Sequence, residues 1–235
     1  MNLINTSAQK FLDGQVISIK KPINWTSFDV VKKIRNSIKK KFNLKKIKVG
    51  HAGTLDPLAT GLLIVCTGKF TKKINEIQKK NKVYIGEIVL GATTPSYDLE
   101  TPINMKYNTE HITEEMIYNN CINFEGKLMQ KPPIYSAIKK SGERLYKKAR
   151  RGETIEIKSR EIEIISFNIL TINLPNIKVK INCSKGTYIR SIANDFGKLL
   201  NSGAYLGKLE RTQIGCYKLN QAITVEEFIS KLNHT

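Results

Sequence analysis

The chain predicts a fold of mixed helix and strand, of the α/β or α+β kind, on three observations. Apolar residues recur at helical spacing from about Phe28 to Lys40. Two alternating runs face each other between Ile162 and Cys183, and a strongly amphipathic stretch follows from Ile189. At 235 residues there is enough chain to bury a sizeable core, as one large domain or one domain with an insertion. No internal repeat and no linker divides it, so a single domain over residues 1–235 is expected.

Taken in order, Gln15 to Ile19 reads as a short strand leading to Lys21-Pro22. Thr26 or Ser27 caps the helix from about Phe28 to Lys40. Val30, Val31, Ile34 and Ile38 lie on one face of that helix, and its cationic end suits the dipole. The stretch Gly50 to Leu63 is loop-like and runs into Leu62-Leu63-Ile64-Val65-Cys66, which reads as a buried strand. Thr71 to Gln78 predicts a short helix and Val83 to Leu90 a strand. A helix over Thr113 to Phe124 turns Ile112, Met116, Ile117, Cys121 and Phe124 inward.

Pro132-Pro133 excludes helix or central strand at that point. Ile162 to Leu174 and Ile177 to Cys183 form a hairpin about Pro175-Asn176. Ile189, Ile192, Ala193, Phe196, Leu199 and Leu200 then fall at helical spacing before Gly203 ends the helix. Thr224 opens a last helix, with Glu227 completing a capping box.

Composition narrows the function class. Hydrophobic content of 40% with 25% charged residues is ordinary for a globular protein. No apolar run reaches the roughly 18 residues that cross a bilayer. Met1 to Gly14 lacks a secretory apolar stretch, so the chain reads as cytoplasmic with no membrane partner. Cys66, Cys121, Cys183 and Cys216 show no paired spacing, and Cys66 and Cys183 read as reduced, buried thiols. His51, His111 and His234 are scattered, so no metal site is expected.

The net charge of +19 points to a polyanion. Of 39 basic residues 32 are Lys, whose codons are A/T-rich like those of the abundant Asn and Ile, so part of the excess reads as genomic drift. Lys39-Lys40-Lys41 and Lys45-Lys46 fit a solvated face as well as a contact. Nucleic acid is favoured over a membrane because no basic amphipathic anchor is evident.

Chemistry concentrates in Gly50-His51-Ala52-Gly53-Thr54-Leu55-Asp56-Pro57-Leu58-Ala59-Thr60-Gly61-Leu62-Leu63. Asp56 is its sole carboxylate. Glycines on both sides permit unusual backbone and close approach, and Pro57 keeps Leu55 and Asp56 out of a regular helix. Two readings fit: a reacting group projected from the end of a buried strand, or a turn whose Asp caps a backbone amide. Arg190 stands in the first turn of its helix, off the apolar stripe, where a cation opposes the dipole; an anionic partner is expected. From Gly142 to Gly152, basic residues surround Tyr146, which fits either an RNA contact or a solvated helix. No phosphate-binding loop or dinucleotide fingerprint is present. The residues alone reach an RNA-binding protein, with a carboxylate available for catalysis.

At these positions the sequence resembles the bacterial TruB-type tRNA pseudouridine synthases, from Lys21 to about Gly215. Gly50 to Leu63 fits the family pattern Gly-His-x-Gly-Thr-Leu-Asp-Pro-x-Ala-x-Gly-x-Leu at every defined position. Lys21-Pro22 with Thr26-Ser27 resembles the first motif, with Asn24 where many members have Gly. Lys82-Val83-Tyr84 looks like the Lys-x-Tyr motif, and Thr94 to Asp98 like a Thr-x-Thr-x-Asp element with Ser96 for the second Thr. Gln130 to Lys139 and Gly186 to Arg190 match two further motifs.

The resemblance implies an α+β pseudouridine synthase fold. Its central sheet would be mixed and mostly antiparallel, with flanking helices and a mobile RNA-clasping insertion at about 131–158. It implies isomerisation of the uridine at tRNA position 55, in the T loop, by a monomer without cofactor or metal. Asp56 would be the nucleophile, Arg190 its charge partner, and Tyr84 the ring stacked on uracil. His51, Lys21, Tyr188, Asp98 and Arg150 would contact substrate. The chain leaves no room for the small C-terminal RNA-binding (PUA) domain of many members. The alternatives are a tRNA-binding or folding protein without chemistry, and a guide-RNA-dependent synthase.

Overall fold

Helix Ser27–Lys41 shows how local sequence sets an element. Thr26, not Ser27, is its cap: it closes a reciprocal box with Asp29, while Lys39, Lys40 and Lys41 complement the dipole at the other end. Val30, Val31, Ile34 and Ile38 are buried along the expected face. That face, Val31 apart, packs into a core with Ile17, Ile19, Leu63, Val65 and Phe228.

In the computed structural model, residues 7–140, 142–153 and 155–234 are described. The first six residues, part of the start read as lacking a secretory signal, lie outside them, as do Ser141 and Thr154 of the basic insertion. The chain forms two compact units, Met1–Tyr84 with Leu209–Thr235, and Ile85–Lys208. Each boundary falls inside a strand, Lys82–Leu90 and Ala204–Ile214.

The first unit is built on strand Thr60–Thr67. This strand pairs antiparallel with Val16–Lys21 and with Val49–His51. Its pairing with the end of Ala204–Ile214 is parallel, Glu210 opposite Thr60 and Arg211 opposite Gly61. Leu63 and Val65 enter one core, whereas Leu62, Ile64 and Cys66 enter a second with Ile77 and Ile214. Burial on both faces explains why this strand reads as an unbroken apolar run. Helix Val225–Asn233 carries the expected box between Thr224 and Glu227. The short helix expected over Thr71 to Gln78 is a 3-10 turn, Gly68–Lys73, running into an α-helix, Ile74–Lys79.

In the second unit, Arg160–Asn173 and Asn176–Cys183 form the expected hairpin, extended by Gly126–Gln130 against Arg160 to Ile164. Ile177, Val179, Ile181 and Cys183 alternate inward. Helices Glu114–Ile122 and Ile189–Leu199 supply the rest of the core, where the rings of Phe124, Phe167 and Phe196 meet at 5.6–5.7 Å. One expectation fails here: Leu199 is 49% exposed, because it stands at the edge of the apolar stripe on the final turn. Within the basic insertion, Lys139–Lys140 pairs with Glu143–Arg144 ahead of helix Leu145–Arg150.

Antiparallel pairing predominates and helices flank the strands, which is the α+β class. No described helix is long and apolar enough to cross a membrane.

Candidate active site

Asp56 sits where two strands of the first unit give way to a turn. Val49–His51 climbs antiparallel to Thr60–Thr67, and Ala52 N donates to Ile64 O at 2.8 Å. The chain then leaves the sheet through Gly53 and returns through Gly61. These two adopt φ of 109° and 101°, a region that favours glycine. Gly61 is also sterically required, since a Cβ there would fall 2.4 Å from Arg211 O.

The residues on either side of Asp56 are held by side chains. Ser27 Oγ accepts from Leu55 N at 2.8 Å and lies 3.1 Å from Leu55 O, to which its hydroxyl donates. Lys21 Nζ donates to Pro57 O at 3.2 Å, as well as to Trp25 O at 2.6 Å and Pro22 O at 2.8 Å. Asn24, at φ 66°, donates its backbone N–H to Pro57 O. Asp56 O accepts from Ala59 N at 3.1 Å, closing the turn.

Lys21, expected among the substrate contacts, is 1% exposed and spends three donors on carbonyls, so it braces the loop from within. Burial lowers its ammonium to about 8, with the charge of Asp56 acting in the opposite direction. His51 is half-buried. Burial first and the charge of Arg211 second hold its imidazole below the ordinary value, which keeps it neutral at neutral pH. Tyr84 is buried on the inward alternation of Lys82–Leu90.

The second unit houses Arg190, buried at 3% in the first turn of Ile189–Leu199 rather than on a solvated flank. Nη1 donates to Ser96 O at 3.1 Å and Nη2 to Tyr135 O at 2.9 Å. Asp98 Oδ2 lies 3.5 Å from Nε, so Asp98 supplies an anionic partner of the kind the dipole demands. Asp98, expected to touch substrate, is 4% exposed and turned toward Arg190. The turn that presents it is tied by hydroxyls: Thr94 Oγ1 and Ser96 Oγ both donate to Asp98 O. Serine at position 96 therefore retains the hydroxyl that the expected second threonine would supply.

Tyr188 caps the same helix, with its backbone N–H and C=O both bonded to the Gln130 amide at 2.8 and 3.0 Å. The Arg160 guanidinium stacks on its ring at 4.8 Å. Arg150 is on the surface, paired with Glu100 at 2.8 Å and lying over Tyr146.

The structure thus gathers Asp56, Lys21, His51 and Tyr84 in one unit, and Arg190, Asp98, Tyr188 and Arg150 in the other. One residue that sequence reasoning passed over stands out in the first group. Arg211 is 1% exposed and donates to Leu62 O, Gly53 O and Thr54 O. Its strand is polar without a break from Glu210 to Gln213, so no apolar rhythm would have marked it. Among the described residues no group of His, Cys, Asp or Glu is arranged to hold a metal ion.

Comparison with known proteins places this geometry. The profile of the TruB family pseudouridylate synthase N-terminal domain matches residues 39–189. A Flavobacterium johnsoniae protein named tRNA pseudouridine synthase B is 55% identical over 95% of this chain and 98% of its own length. A Phocaeicola vulgatus protein of the same name is 52% identical over 93% of each. Among solved structures, a chain in a Cbf5–Nop10–Gar1 complex superposes with a TM-score of 0.70 at 27% identity. The match covers 94% of this chain and 55% of that one, so this chain spans about half the length of that relative.

Proposed function

The chain belongs to the TruB family of pseudouridylate synthases, and on that premise we propose that it isomerises one uridine of tRNA, position 55 in the T loop, to pseudouridine. The bond between uracil N1 and the ribose C1′ breaks and one between C5 and C1′ forms. C5 loses its proton and N1 gains one, so no oxidant, reductant or cofactor is consumed. The observation that carries this reading is the Asp56 loop, a carboxylate whose two flanking residues are each held by a buried side chain.

Asp56 acts as the nucleophile, which requires its ionised form. Arg190 is its charge partner, and Asp98 and the carbonyls of Ser96 and Tyr135 orient the Arg190 fork. Lys21 supports the loop from within instead of touching RNA. Tyr84 stacks on the uracil and assists removal of the C5 proton. Neutral His51 and Tyr188 contact the RNA near the extruded nucleotide, whose flipping costs a few kcal/mol. The basic insertion at about 131–158 moves to clasp the T arm, and Arg150 exchanges Glu100 for a phosphate there. The enzyme acts as a monomer in the cytoplasm.

The test is tritium release from [5-³H]uridine in a bare tRNA transcript incubated with this protein alone. Release from position 55 is expected, and Asp56→Asn is expected to bind the transcript and release nothing. Full function of Asp56→Asn in a binding or folding assay, with no release by the wild type, refutes the enzyme in favour of a binding protein. Release that appears only with added guide RNA and partner proteins points to a guided synthase.

A further inference from the structure

Resting on Asp56 as the reacting group, we propose that Arg211 is its positioning residue, a buried guanidinium that clamps both stems of the loop carrying the carboxylate. Nη2 and Nη1 donate to Gly53 O at 3.0 Å and Thr54 O at 3.4 Å, three and two residues before Asp56. Nε donates to Leu62 O at 2.8 Å, on the strand that leaves the loop. One planar group therefore sets the spacing between the outgoing and returning chain.

The contact is close in the backbone as well. Arg211 lies opposite Gly61 in the parallel pairing, with no space for a side chain between them. Ser27 and Lys21 hold the peptide groups adjoining Asp56, but each attaches to one side of it. Arg211 is the group that ties the two sides together.

Arginine is required by the shape of this task. Three carbonyls approach from fixed directions, and a guanidinium presents donors in a rigid plane, whereas an ammonium is a single rotating point. Burying a cation is costly, and an apolar residue of similar volume would avoid that cost. It would also leave three interior carbonyls without these donors, and the loop would relax to satisfy them. A shift of about 1 Å at a reacting group costs on the order of 100-fold in rate.

The experiment compares Arg211→Lys and Arg211→Met with the wild type in three measurements: single-turnover tritium release, affinity for a T-arm RNA, and amide hydrogen exchange across Leu55 to Thr60 without RNA. Arg211→Lys is expected to keep RNA affinity within about threefold while its single-turnover rate falls on the order of 100-fold. Arg211→Met falls at least as far, and both variants exchange faster in the loop. The His51 imidazole, read by NMR, titrates higher in Arg211→Met than in Arg211→Lys, since the lysine keeps a charge near it.

Unchanged loop exchange overturns the proposal, as does a rate that falls only in proportion to RNA affinity. Loss of cooperative unfolding in both variants overturns it too, because the residue would then hold the whole unit and not the loop. A wild type that makes no pseudouridine refutes the proposed function, while loop exchange still decides the clamp.

Discussion

Removing the Ser27 hydroxyl isolates the support of a single residue beside the carboxylate. Ser27 is 2% exposed, and its Oγ both accepts from Leu55 N at 2.8 Å and donates to Leu55 O at 3.1 Å. Ser27→Ala leaves one donor and one acceptor of a buried residue without these bonds. An orphaned buried group costs about 1–3 kcal/mol, so the pair costs about 2–4 kcal/mol once the second carbonyl lone pair is allowed for. The helix itself is spared, because its cap is Thr26.

If the loop holds its place, the loss appears as a fall in melting temperature of about 2–4 °C for each kcal/mol in a chain of this size. If the loop moves to find other partners, Asp56 moves with it. The loss then appears as a slower single turnover, on the order of 100-fold for a displacement near 1 Å. Thermal unfolding and single-turnover tritium release, run on the same preparation, together capture both routes. A variant that melts within about 1 °C of the wild type and turns over within about threefold refutes the claim that these bonds hold the loop.

Two further outcomes follow from charge. Lys21 titrates near 8 in the folded chain against an ordinary 10.5, so between those values the unfolded chain binds a proton that the folded chain does not. Stability must therefore rise with pH across that window. Urea midpoints of the wild type minus those of Lys21→Met should climb from about pH 8 to 10.5, and a flat or falling difference contradicts the buried placement. Arg150 pairs with Glu100 on the surface, 63% exposed on its side, where such pairs contribute little. Arg150→Ala should melt with the wild type, yet the slope of log affinity against log salt for tRNA should shrink by about one phosphate's worth. An unchanged slope removes Arg150 from the RNA contact.

Much of the architecture was legible because its signals are local. The face Val30, Val31, Ile34 and Ile38, the box Thr224 to Glu227, and the alternation Ile177 to Cys183 each arise among residues a few positions apart. The Asp56 loop was legible as a motif, and two of its three glycines, Gly53 and Gly61, take positive φ whereas Gly50 does not. Strands Ala204–Ile214, Gly126–Gln130 and Val49–His51 were not foreseen. The last two are short, and the first mixes Lys208, Arg211 and Thr212 with apolar residues. No period-2 rhythm survives there.

The sequence by itself determined the longer helices, the hairpin, the apolar central strand and the identity of the carboxylate loop. Only tertiary structure decided what holds that loop. Lys21 and Asp98 read as substrate contacts, and only the fold sets Lys21 against Pro57 O and Asp98 against the Arg190 guanidinium. Arg211 looked like any basic residue until carbonyls 149 to 158 positions away converged on it. A propensity depends on neighbours along the chain. The partner that makes a buried charge tolerable depends on where the chain returns, and no local pattern records that.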